Sequence, residues 1–190
     1  MQPIGDDQSY FQPLKPGLFS NLAISSRVPP KWYALHTRPR AERVVRAHLL
    51  WYRIESFYPL QRKRRSRIEE RKEATSPLFP GYIFCRTALD IPLRIVSIPG
   101  VLRFVGCEGR PTPVLDAEIA AIQRLEQSCR ALRSMPFFEQ GQRVRVCGGA
   151  LEGLEGRVLR VKNKDMLVVS VELLRRSVCV SLESDCVEHI

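Results

Sequence analysis

Ser76-Pro77-Leu78-Phe79-Pro80-Gly81-Tyr82-Ile83-Phe84 decides how the chain is read. Two prolines and a glycine within nine residues exclude a helix. Tyr82, Ile83 and Phe84 are strong strand formers. Pro80-Gly81 supplies a tight bend, since proline fixes φ and glycine permits a positive one. The stretch therefore predicts a bend presenting Leu78 and Phe79 beside the start of a strand. Leu78 reads equally as a core residue or as part of a surface. Phe79, between two stiffening prolines, is expected to face outward. A basic run from Arg62 to Lys72 precedes the bend.

Working back, Trp32-Tyr33-Ala34-Leu35 is a short apolar run that suits a buried strand. Pro39 fits the first turn of a following helix. Ala41, Val44, Val45, His48, Leu49 and Tyr52 recur at helical spacing, which leaves Arg40, Arg43, Arg46 and Arg53 on other faces. His48 lies on or beside the apolar stripe, as a packed or a contacting side chain. Ile54 to Leu60 reads as a strand. Arg62, Lys63, Arg64, Arg65 and Arg67 then belong to a hairpin arm or loop, either solvated or contacting phosphates. Residues 1–30 are proline-rich, sparse in charge and without period, and read as a disordered leader.

Working forward, Ile91 to Ile98 suits a short helix and Val101 to Val105 a strand. Asp116 looks like the N-cap of a helix reaching about Leu132. Residues 31–132 thus run β-α-β-β-α-β-α. The first six elements suit a four-stranded antiparallel sheet with helices on one face, the split βαβ arrangement. Residues 133–138, with Pro136, read as a linker. Residues 139–190 hold five short period-two strands separated by turns and Gly-rich loops, which suggests a small β-barrel. The fold class is α+β.

The net charge is +10, and residues 31–127 hold 18 basic against 10 acidic side chains. That balance favours a polyanionic partner, nucleic acid above all. No apolar run approaches the roughly 20 residues of a membrane span, and no secretory signal is visible. The six cysteines form no C-x-x-C pair and the three histidines are scattered, so neither a zinc site nor a disulfide framework is indicated, and a reducing cytoplasm suits the chain. Nucleotide-binding, hydrolase and metalloprotease motifs are absent. The expectation is a non-enzyme with no cofactor, no small-molecule substrate and no membrane attachment.

Four segments in order resemble the N-terminal (NGN) domain of NusG-type transcription factors: Trp32-Tyr33-Ala34-Leu35, Pro77 to Phe84, Ile98-Pro99-Gly100-Val101-Leu102-Arg103-Phe104-Val105-Gly106, and Pro113-Val114-Leu115-Asp116-Ala117-Glu118. Gly141-Gln142-Arg143-Val144-Arg145-Val146 with Leu151-Glu152-Gly153-Leu154-Glu155-Gly156 resembles the KOW motif of their C-terminal domain. Trp32 to Glu42 and Val168 to Val178 are most similar to specialised antiterminator paralogues of the UpxY and RfaH kind. The resemblance implies a factor that docks on the β′ clamp helices of RNA polymerase, bridges to the β gate loop and contacts non-template DNA. By position it places Tyr33, Phe79, Tyr82 and Phe104 in the polymerase-docking region and the gate-loop contact near Leu93-Arg94. It places Arg38 and His48 on DNA, with Arg40, Arg43 and the Arg62–Arg67 run (Arg62, Arg64, Arg65) adding phosphate contacts. Leu151 and Leu154 are either barrel core or the contact for a ribosomal protein or Rho. The competing reading is a ribosome-associated or general RNA-binding KOW protein.

Overall fold

A computed structural model of the 190-residue chain describes residues 28–63, 74–88, 92–128, 131–161, 164–182 and 187–190. The expected leader lies outside these residues, apart from its last three positions. Strand β1 (Lys31–Thr37) is central. It pairs antiparallel with β5 (Tyr82–Thr87) on one side and β6 (Val101–Phe104) on the other, and β2 (Glu55–Phe57) extends the sheet beyond β5. The short strand β9 (Pro113–Val114) also pairs with β1.

The unbroken apolar run of β1 has a packing reason. Successive strand side chains point to opposite faces, and both faces are covered. Tyr33 and Leu35 meet Val45 and Leu49 of α1 (Glu42–Trp51) and Ile95 of α2 (Pro92–Val96). Trp32 and Ala34 belong to the opposite core, with Ile119, Ile122 and Leu125 of α3 (Asp116–Gln127). The two helices of the βαββαβ unit thus share one face, as the pattern predicts, and the third helix closes the other.

Two helix starts differ from expectation. Pro39 precedes α1 rather than entering it, because Arg40 takes a left-handed φ of 65° and the helix begins only at Glu42. At α3 the N-cap is Leu115 in extended conformation, and Asp116 is the first helical residue without a capping side-chain bond. A carboxylate in the first turn is still favoured by the helix dipole.

The basic arm is a hairpin of β3 (Leu60–Lys63) and β4 (Ala74–Pro77), with Leu60 opposite Pro77. Arg64, Arg65 and Arg67 lie outside the described residues, as does the side chain of Arg62. A second small hairpin, β7 (Gly106–Cys107) with β8 (Arg110–Pro111), follows β6.

The remaining strands form a six-stranded sheet in the order β10-β14-β13-β12-β11-β15, made of β10 (Arg133–Pro136), β11 (Arg143–Val146), β12 (Glu155–Val161), β13 (Lys164–Val171), β14 (Arg176–Ser181) and β15 (Val187–His189). Five match the expected strands. The sixth, β10, corrects the linker reading: residues 133–136 pair with Arg176–Cys179 at the sheet's edge. Pro136 is tolerated there because an edge strand does not need every N–H. This unit packs against the outer side of α3. The Glu118 carboxylate accepts the Glu172 N–H at 3.1 Å, and the Arg124 guanidinium donates to the Glu152 carbonyl. Partial burial at this contact pushes the Glu118 carboxyl above the ordinary carboxylate range. Among the described residues, no helix is long and apolar enough to cross a membrane.

Candidate partner-docking site

The Pro80-Gly81 bend is built by long-range bonds rather than by its own sequence. Leu78 N–H donates to Pro59 O at 2.9 Å, and Thr37 N–H to Gly81 O at 2.8 Å. Gly81 takes φ +83°, and its N–H donates to Glu42 Oε1 at 2.8 Å. Glu42 is only 5% exposed, so α1 clamps the bend through a carboxylate that helical spacing does not reveal. Replacing it leaves the Gly81 N–H without a partner. Glu42→Ala is expected to cost about 1–3 kcal/mol, read as a lowered denaturation midpoint with an unchanged m-value.

The clamp decides which aromatic faces out, and it is not Phe79. Phe79 is 1% exposed and Leu78 fully buried. The Phe79 ring meets Phe84 edge-on at 5.7 Å. Tyr33 is also core, at 4% exposure, edge-on to Phe104 at 5.9 Å. Of the four residues placed in the docking region by position, only Tyr82 and Phe104 reach the surface, each partly buried. Tyr82 lies opposite His36 across the β1–β5 pair, and their rings stack at 5.2 Å. His36 lies opposite Arg103 on the other side. A row Tyr82–His36–Arg103 therefore crosses three strands. Neither His36 nor Arg103 is distinguished by sequence pattern, since the row exists only once strand register is known.

Beside the row, a cavity of about 760 Å³ is lined by His36, Pro77, Pro80, Leu102, Arg40 and Arg43 among others. Both arginines are exposed. Leu102 is 48% exposed and Val96 39%. Together with Phe104 they border a second cavity of about 370 Å³ that also carries Arg103 and Arg110. The result is an apolar ridge between two hollows with basic rims. Arg38, exposed, is anchored through its backbone N–H to Gly100 O at 2.8 Å. His48 sits partly buried on α1 and donates Nδ1–H to Val44 O at 2.9 Å. The structure thus brings Arg40 and Arg43 to the Pro80-Gly81 bend, holds Arg38 in the turn before α1 and carries His48 on α1 itself.

Leu151 and Leu154 resolve toward core. Leu151 is fully buried and Leu154 is 4% exposed, held by a single helical turn at Gly149–Leu151 and by bonds that return the loop to Val146. Burial pushes the Cys85 thiol up to about 12, which makes it an inert core group. Among the described residues, no three His, Cys, Asp or Glu side chains gather in a way that suits a metal.

The family model described as "Transcription termination factor nusG" matches residues 30–123. The Vibrio cholerae serotype O1 "Transcription termination/antitermination protein NusG" is 31% identical over 180 residues, covering 87% of this chain and 99% of the relative. The chain belongs to the NusG family. Another NusG, from Helicobacter pylori, is 33% identical over 135 residues, covering 62% of this chain and 74% of the relative. Among solved structures, one titled "Domain interaction in Thermotoga maritima NusG" aligns at 22% identity and TM-score 0.46, covering 80% of this chain and 93% of that one. In this NusG-family chain the matched region contains β1, the Pro80-Gly81 bend, the cross-strand row and both hollows, and ends within α3.

Proposed function

We propose that this NusG-family chain is a non-enzymatic transcription elongation factor that docks on RNA polymerase through the Tyr82–His36–Arg103 row and the adjoining Leu102–Phe104 ridge. A half-exposed aromatic stack beside an apolar hollow with a basic rim supports this reading. Such a surface desolvates well against a helical tip carrying apolar and acidic residues, and binding energy concentrates where aromatics fill pockets. The β′ clamp helices are the partner that family resemblance names. Phe79 and Tyr33 then act from beneath, as the packing that holds the face. Leu93, 79% exposed and next to Arg94, would supply the gate-loop contact that the family resemblance implies.

Arg38, Arg40 and Arg43 at the start of α1 and His48 further along it would contact the displaced non-template strand, with the Arg62–Arg67 arm adding phosphate contacts. The second sheet, the KOW unit, would recruit a ribosomal protein or Rho. With Leu151 and Leu154 buried, that contact falls to groups around them. A clamp-to-lobe bridge disfavours opening of the cleft, so paused states that need an open clamp lose population. The shift equals the factor's differential affinity for the two states, about tenfold per 1.4 kcal/mol.

Single-round transcription through a pause and a terminator tests this. The full chain is expected to shorten pausing or raise read-through with bacterial polymerase. The Arg40→Ala/Arg43→Ala double variant should do so less at low salt, with the deficit narrowing as salt rises. No effect of wild type on either readout would favour the general RNA-binding reading.

A further inference from the structure

α1 carries two stripes of regular spacing, and the core uses one. Glu42, Val45 and Leu49 face inward and are buried. Val44, Ala47 and Trp51 recur at i, i+3 and i+7 and form a second, apolar stripe turned away from the core. Val44 is 42% exposed, Trp51 55% and the adjoining Leu50 57%, and Ala47 is exposed as well. The indole is braced at the helix end, since the Tyr52 ring meets it edge-on with centroids 5.0 Å apart. Arg43 and Arg46 are exposed on the flank of the stripe, and Arg53 just beyond the helix. The exposed acid nearby, Glu55, pairs with Arg86 at 3.6 Å. A contiguous apolar patch with a polar rim marks a surface that something covers.

We infer that the cover is the chain's own N-terminal segment, residues 1–27, with Leu18 and Phe19 lying against Leu50 and Trp51. The segment is outside the described residues, and three observations select it. The first is where it is attached. Trp32 of β1 and Glu55 of β2 both sit opposite Arg86 of β5, so they are two strand spacings apart, roughly 10 Å. The chain thus enters β1 at the sheet end where α1, after Trp51, turns into β2. A residue spans at most about 3.3–3.6 Å, so the stretch from Phe19 to Pro30 bridges that gap and the step up onto the helix. The second is composition. Phe11, Leu14, Leu18, Phe19, Leu22 and Ile24 stand in a segment whose charges are only Asp6, Asp7, Lys15 and Arg27. Pro13 and Pro16 exclude a continuous helix there, so the segment would cross α1 as an extended strap. The third is charge: Asp6-Asp7 complement the arginine flank. Tethering lets a weak contact suffice, because a linked segment meets its site at an effective concentration on the order of millimolar. The contact forms in the free chain and does not depend on polymerase binding.

The test uses the full chain and reads both partners. The protein has two tryptophans, and Trp32 is 5% exposed in the core, so acrylamide quenching of the emission reports on Trp51. Wild type is expected to show a shielded Trp51. Leu18→Ser/Phe19→Ser should shift the emission to the red and raise the quenching to that of an open indole. From the other side, Leu50→Ser/Trp51→Ala should speed chymotrypsin cleavage after Phe19 several-fold. Melting curves that match wild type establish that both double variants keep the fold. Equal quenching of wild type and the Leu18/Phe19 variant would overturn the proposal. Increased quenching in that variant without faster cleavage in the Leu50/Trp51 variant would place the segment elsewhere and overturn the contact. Shielding that is lost on dilution of wild type would also overturn it, because a tethered cover is independent of concentration whereas a second copy is not.

Discussion

Phe79→Ala is expected to lower the stability of the N-terminal sheet by about 3–5 kcal/mol, the range for a buried phenylalanine replaced by alanine. The ring is 1% exposed and packs with Phe84, Leu78 and the apolar side of α3. Truncation removes that burial and leaves a space walled by Phe84 and by a bend whose position is fixed from Pro59, Thr37 and Glu42. A bend pinned on three sides collapses poorly, which puts the cost toward the upper end. Since whole domains are stable by only about 5–15 kcal/mol, the variant should approach unfolding at moderate temperature. Chemical denaturation with a tyrosine or tryptophan readout checks this. A loss under about 1 kcal/mol would mean that the ring is not core. Any loss of partner binding by Phe79→Ala therefore reports folding and docking together, and a surface residue is needed to separate them.

Gly100→Ala is the second large effect expected. Gly100 has φ +96°, and an added Cβ would lie 2.7 Å from the Ala41 Cβ and 3.3 Å from Val45 Cγ2. Backbone strain and overpacking thus act at one atom. Together they should cost roughly 2–4 kcal/mol. The effect is not only global. Gly100 O accepts the Arg38 N–H at 2.8 Å, so a shift of this turn moves the entry to α1 and the arginine beside it. The expected outcome is a lower melting temperature together with weaker nucleic-acid binding. A variant with unchanged melting would contradict the close approach of the β6 turn to α1.

Local chemistry and periodicity carried the elements: the apolar run at Trp32, the helical spacing from Val44 to Tyr52, and the period-two strands from Arg143 onward. What they could not carry was direction at the bend. Proline stiffness around Phe79 shows that the segment is fixed, but not which way it faces. That depends on Gly81's positive φ and on partners at Pro59, Thr37 and Glu42, all distant in sequence, Glu42 lying 39 residues from Gly81. His36 and Arg103 were invisible for a related reason, since a cross-strand row is a property of register. Leu151 and Leu154 stand in a Gly-rich loop that looks solvent-facing until a single helical turn folds them inward. β10 was missed because Pro136 signals a break locally, whereas an edge position accommodates it.

The proposed docking face is tested most directly by retention of bacterial core RNA polymerase on the immobilised full chain at about 0.3 M salt, where the Debye length falls to roughly 5–6 Å and exposed charge pairs are screened. Wild type, Tyr82→Ala and Leu102→Ala are compared at matched melting temperature. Wild type should retain the enzyme, and both surface variants should lose most of it while their melting curves stay close to wild type. Retention by all three would contradict the docking face, and no retention by wild type would contradict polymerase binding itself.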